Sequence, residues 1–214
     1  MLLVEKYRPT TIDGFIGIED IRADMTDFVC DPYSSAWLFV GKSGTGKTTL
    51  AQAIASDLGA QVHHIPSQSC TVETVKQLRH TLAFKPLFGA KWSVVIVDEA
   101  DEMSAAAENA WLSLTDSTNR PVDTIIIFTC NETEKLKDRF LSRCEIVRFS
   151  SEGIQPPTAK LLADVWQKET GGASPAPNFA GIAKTAKGNV RESLTALQKY
   201  IRRAMRTGGG SAEE

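Results

Sequence analysis

The run Trp37-Leu-Phe-Val40, followed at once by Gly41-Lys-Ser-Gly-Thr-Gly-Lys47-Thr48, constrains this chain more than any other feature. It fits G-x-x-x-x-G-K-[ST] and lies where that motif has meaning, after an apolar strand and before a helical run over residues 49–58. Glycines at 41, 44 and 46 let backbone N–H groups turn inward around phosphate oxygens, a geometry that a Cβ would obstruct. The helix N-terminus behind them adds partial positive charge. Lys42, Ser43, Gly44, Thr45, Gly46 and Thr49 are therefore expected to wrap the phosphates of ATP. Lys47 would reach the β- and γ-phosphates, and the Thr48 hydroxyl would bind Mg²⁺.

Such a loop implies a parallel sheet, and the remaining sequence supplies one. Apolar segments at 37–40, 61–65, 94–98, 124–128 and 145–149 read as strands. Amphipathic stretches lie between them, such as Val72, Val75, Leu78 and Leu82, or Ala107, Ala110, Trp111 and Leu114. Strands that are apolar on both faces need helices on both sides, which gives an α/β fold with a parallel five-stranded sheet over residues 1–150. Residues 150–157 read as a linker. Beyond it the pattern is all helical, with stripes at Leu161, Leu162 and Val165, at Phe179, Ile182 and Ala186, and at Val190, Leu194, Leu197, Ile201 and Met205. Residues 151–207 form the expected helical lid domain, and 208–214 read as a flexible tail.

The third apolar strand ends in two carboxylates, Val94-Val-Ile-Val-Asp98-Glu99. Asp98 is placed to hold hydrated Mg²⁺, and Glu99 is the candidate base that orients or deprotonates the attacking water. The tetrad Asp98-Glu-Ala-Asp101 also invites a helicase reading, but a two-lobed helicase needs a second motor domain for which this chain has no room.

Composition excludes other classes. At 42% hydrophobic and 23% charged residues the chain has the means for a core, so disordered, collagenous and coiled-coil chains are set aside. Its longest apolar runs span four or five residues, against the ~20 of a membrane helix. No charged-then-apolar leader follows Met1, and the expectation is a cytoplasmic protein (nuclear if eukaryotic). The four cysteines show no CxxC spacing, which disfavours zinc. Net charge is −2, yet residues 184–206 hold seven basic residues and one acidic one, while residues 98–102 hold four acids.

Several segments together match one family. Glu5-Lys-Tyr-Arg-Pro9, the loop at 41–48, Asp98-Glu-Ala-Asp101, Thr129-Cys-Asn131, Ser142-Arg-Cys144 and Gly188-Asn-Val-Arg191 occur in the family's order. Over residues 3–206 the chain resembles the small ATPase subunits of replication clamp loaders, of the replication factor C and phage types, within the AAA+ superfamily. The resemblance implies that Tyr7, Arg8, Pro9, Ile16 and Gly17 line the adenine pocket. It implies that Asn131 is sensor 1, that Arg143 is an arginine finger for a neighbouring subunit's ATP, and that Arg191 is sensor 2 on the lid. A permanently charged planar guanidinium suits the spread charge of a transferring phosphoryl group. Lys76 and Arg79, opposite the apolar stripe of their helix, are the candidate contacts to duplex phosphates.

The expected activity is ATP hydrolysis within an oligomer whose ATP sites lie at subunit interfaces. The implied partners are other clamp-loader subunits, a sliding clamp and primer-template DNA, with no membrane. Alternatives are a nucleotide-responsive structural module with little turnover, and another DNA-remodelling motor such as a branch-migration helicase. Two departures stand out: Ser113 or its neighbour occupies a helix position where many relatives carry a basic residue, and relatives continue into a helical collar domain.

Overall fold

The structure, a computed structural model, describes residues 1–84, 89–172 and 175–208. Strands β1 (Ser35–Val40), β2 (Gln61–Ile65), β3 (Ser93–Val97), β4 (Thr124–Cys130) and β5 (Glu145–Arg148) form one sheet, ordered β2-β3-β4-β1-β5. Every pairing is parallel. Strands β1, β3 and β4 are buried along their whole length, which is why they read as continuous apolar runs rather than alternating ones.

The period of two along each strand then sorts the side chains onto two faces. Trp37, Phe39, Val94, Ile96, Ile125 and Ile127 pack against Met25 and Phe28 of α2 (Glu19–Cys30) and Leu50 and Ile54 of α3 (Lys47–Asp57). Leu38, Val40, Val95, Val97, Ile126 and Phe128 face α4 (Val72–Leu82), α5 (Ala105–Thr115) and α6 (Asp138–Leu141), where Trp111 meets Phe128 edge-to-face at 5.1 Å. The register aligns Val40 with Cys130 and Val97 with Phe128, so β1 and β4 end level and β3 ends two residues earlier, where Asp98 and Glu99 follow. Ligands bind at such a rim in open α/β sheets.

A third cluster joins α7 (Gln155–Thr170) and α9 (Val190–Gly208) through Leu162, Val165, Trp166, Leu194, Leu197 and Ile201, with Phe179 and Ile182 of α8 (Phe179–Thr185) packed against it. Its further member is Leu3 of α1 (Leu3–Lys6), whose N–H donates to Gln198 Oε1 at 2.8 Å. Tyr7 Oη donates to Glu169 Oε1 at 2.6 Å, and Lys6 Nζ pairs with the same oxygen at 2.6 Å. The first residues of the chain thus belong to the helical core, although nothing in their sequence separates them from the sheet domain.

Three boundaries differ from the sequence reading. Helix α3 starts at Lys47, two residues early, because Gly46 takes φ +99° and closes the loop onto the first turn. The supposed linker at 150–157 holds the first turn of α7, where Pro156 and Pro157 are tolerated because those N–H groups lack helical partners anyway. Helix α9 runs to Gly208, and the expected tail beyond it lies outside the described residues. Among the described residues, no helix is long and apolar enough to cross a membrane.

Candidate functional site

Two adjoining cavities open at the rim of the sheet, between the 41–48 loop and the helical cluster. The first is mainly apolar, walled by Tyr7, Arg8, Pro9 and Ile16 together with Val4, Phe15, Ile154, Leu161, Val190 and Leu194. The second is polar, walled by Ser43, Lys47, Thr48, Ser67, Asp98, Glu99, Thr129 and Asn131. Arg8, Gly44, Gly46, Thr49 and Arg191 border both, and Thr45 borders the first. An apolar slot leading into a polar basin suits a flat base joined to charged phosphates.

Gly17 lines neither cavity. It has φ +70°, and a Cβ there would stand 2.8 Å from Ile154 Cγ1, so its role is close packing against the start of α7. Lys42 contributes backbone rather than side chain. Its ammonium arm is exposed, while its carbonyl accepts from Thr45 Oγ1 at 2.8 Å and from Lys47 Nζ at 3.0 Å. The cavity walls from α7 and α9 escaped the sequence reading, which assigned Leu161, Val190 and Leu194 to core stripes and Ile154 to a linker.

Lys47 is buried, at 8% exposure. Its ammonium donates to Gly41 O at 2.5 Å, to Lys42 O at 3.0 Å and to Asn131 Oδ1 at 3.3 Å. Burial pulls its pKa below the ordinary lysine value, against the opposing pull of Cys130, Asp101 and Asp98. A polyanion entering the basin would relieve this poorly compensated charge.

The polar basin follows from strand parity. Asp98 continues the Val94–Ile96 face of β3, and Thr129 and Asn131 continue the Ile125–Ile127 face of β4, so all three reach the side where α3 begins. Thr48 Oγ1 donates to Asp98 Oδ1 at 2.6 Å, and Thr129 Oγ1 donates to the same oxygen at 3.0 Å. The Thr129 hydroxyl in turn accepts from the Glu99 N–H at 3.3 Å, tying the two acids together. Glu99 sits in left-handed backbone at φ 52°, and its Oε2 accepts from Ser67 Oγ at 3.3 Å. Asp101, also buried, accepts from the Asn131 N–H at 3.2 Å. Thr129 and Ser67 are site residues that the sequence reading did not assign.

Arg143 lies elsewhere. It follows α6 and lines neither cavity. Its Nη1 donates to Arg139 O at 2.6 Å and its Nε is 3.6 Å from Asp116 Oδ2 at the end of α5. Glu108, on the same helix, accepts from the Lys137 N–H at 3.0 Å and fixes the start of α6. Lys76 and Arg79 are exposed on α4, away from Val75, Leu78 and Leu82, and Ser113 is exposed on α5.

Hard oxygen donors at Thr48 and Asp98, 2.6 Å apart beside a phosphate-type loop, fit a magnesium ion, which keeps most of its shell for water and phosphate.

The chain is 32% identical over 203 residues to Replication factor C subunit 3 of Blastobotrys adeninivorans, covering 91% of this chain and 59% of that protein. It is 31% identical over 206 residues to the Replication factor C small subunit of Haloarcula marismortui, covering 91% and 61%. The chain thus spans about three fifths of the length of these curated relatives. Among solved structures, the Thermotoga maritima RuvB Holliday junction branch migration motor superimposes with a TM-score of 0.68 at 17% identity, over 94% of this chain and 72% of that one, a likeness of fold. Residues 37–152 match the family described as ATPase family associated with various cellular activities, and the chain belongs to this AAA family.

Proposed function

We propose that this chain is an ATPase subunit of a clamp loader, hydrolysing ATP to open a sliding clamp and place it on primer-template DNA during replication. Its similarity over 91% of its length to replication factor C subunits supports that reading. The observation that carries the ATPase part is the convergence of Lys47, Thr48, Asp98, Glu99 and Asn131 on one polar basin.

In this reading the adenine enters the slot between Tyr7, Phe15 and Leu194, and the 41–48 loop wraps the phosphates. Lys47 exchanges its carbonyl partners for phosphate oxygens, and Asn131 holds the γ-phosphate or the lytic water. Thr48 and Asp98 hold Mg²⁺, which when bound neutralises phosphate charge. Glu99 leaves Ser67, accepts the water's proton and so directs attack on the γ-phosphorus. Arg191, at the start of α9, contacts the γ-phosphate from the lid, and hydrolysis changes the angle between lid and sheet domain.

Arg143 borders neither cavity of its own chain and serves the ATP of a neighbouring subunit. Lys76 and Arg79 contact DNA phosphates, positioning the duplex without reading its sequence. Bound partners are other clamp-loader subunits, the clamp and DNA.

The test measures ATP turnover with and without a sliding clamp and primer-template DNA, for the wild type and Glu99→Gln. The proposal expects stimulation by clamp and DNA together and its loss in the variant. Clamp-dependent function that survives in Glu99→Gln without turnover would make the chain a nucleotide-responsive module. Unwinding of branched DNA with indifference to clamps would make it a branch-migration motor.

A further inference from the structure

His64 near the end of β2 faces Ile96 in the register with β3, two residues before Asp98, so His64 and Asp98 leave the sheet on the same side. The ring Nε2 lies 2.5 Å from Asp98 Oδ2. The carboxylate's other oxygen, Oδ1, receives Thr48 and Thr129. Asp98 is therefore held from both ends: its outer oxygen by His64 and its inner oxygen by the two hydroxyls. A carboxylate at a strand end is otherwise free to rotate about its final torsion, which is broad for this side chain. The two hydroxyls restrain that rotation from one end, and His64 completes the restraint from the other, keeping Oδ1 turned toward Thr48.

We infer that His64 is a positioning residue for the magnesium seat, its ring N–H fixing the Asp98 carboxylate so that one oxygen stays aimed at Thr48. This inference rests on the ATPase reading above and adds a residue to it. His64 touches no phosphate in this scheme; it acts through Asp98. Partners that hydrogen-bond a metal-ligating carboxylate are worth 10–100-fold in metal affinity in characterised sites. Its side chain is 41% exposed, so substituting it removes little packing.

The experiment is a Mg²⁺ titration of binding of a non-hydrolysable ATP analogue, by calorimetry, on the full chain. His64→Ala, His64→Gln and Asp98→Asn are compared with the wild type, each also without metal. The inference expects His64→Ala to raise the Mg²⁺ concentration for half-saturation about tenfold. Metal-free binding should stay unchanged, and His64→Gln, whose amide places a donor near the same point, should recover most of the loss. If Asp98→Asn raises the Mg²⁺ requirement and His64→Ala does not, the inference fails and the ATPase reading stands. If neither does, the magnesium seat itself is wrong. A drop in metal-free binding in both His64 variants would assign His64 to local structure and also overturn the inference.

Discussion

Asn189 and Gly44 hold the lid against the phosphate loop: the Asn189 side chain donates from Nδ2 to Ser43 O at 3.3 Å, and its Oδ1 would stand 2.2 Å from a Cβ built on Gly44. Asn189 also caps α9, accepting from the Glu192 N–H at 3.0 Å. The residue that starts the lid's last helix therefore rests on the loop, and only a glycine at position 44 leaves it room.

Gly44→Ala should lower nucleotide affinity at least tenfold while leaving thermal unfolding within a few degrees. Gly44 takes φ +79°, where a Cβ adds about 1–2 kcal/mol of strain, and the Asn189 collision comes on top. Calorimetric titration with an ATP analogue reads the effect; unchanged affinity would mean that the lid does not sit on the loop in solution.

The clasp between Tyr7 and Glu169 makes a pH prediction. Burial, followed by the hydrogen bond and charge of Glu169, pushes the Tyr7 hydroxyl up to about 12. Glu169 lies below the usual glutamate value because of Lys6 first and Tyr7 second. A raised tyrosine stabilises the fold fully below its ordinary pKa of about 10 and loses that contribution as the pH climbs toward 12. A lowered glutamate does the reverse, contributing above its ordinary range and losing that contribution on acidification. Tyr7→Phe should cost about 1 kcal/mol and flatten the alkaline limb of a stability–pH curve measured by denaturant unfolding. A limb of unchanged slope would remove the clasp.

Trp111 tests the core. It is fully buried, stacks edge-to-face on Phe128 at 5.1 Å, and donates from Nε1 to Cys70 Sγ at 3.1 Å. Trp111→Ala should destabilise by about 3–5 kcal/mol in urea unfolding, since the cavity lies between sheet and helix and cannot collapse. A cost below about 1 kcal/mol would contradict the packing described.

For Arg143 the expectation is a separation of binding from turnover. Arg143→Ala should leave nucleotide affinity nearly intact and lower ATP hydrolysis in the assembled state about 10³-fold or more. Equal turnover in the assembly would exclude Arg143 as the finger.

The sequence made the sheet and its loop legible for one physical reason. Buried parallel strands must be apolar throughout, and a phosphate loop must follow one of them, so 37–48 and 94–99 announced themselves. Lys47, Thr48, Asp98, Glu99 and Asn131 converge as their positions suggested. The apolar slot was less legible, because Leu161, Val190 and Leu194 carry the same spacing whether they face a core or a ligand. Gly17 packs against Ile154 outside both cavities, and a glycine that permits close packing looks, in sequence, like one that permits ligand approach. Thr129, Ser67 and His64 were missed because each meets Asp98 or Glu99 from a segment about thirty residues away, which spacing along the chain does not encode.

The most direct measurement is a calorimetric titration of ATP with Mg²⁺ into the wild-type chain and into Lys47→Ala. The account predicts one saturable site in the wild type and affinity at least tenfold weaker in the variant, the loss of one charged hydrogen-bonding group from a buried site. Absent binding to the wild type, or equal binding to both, would contradict it.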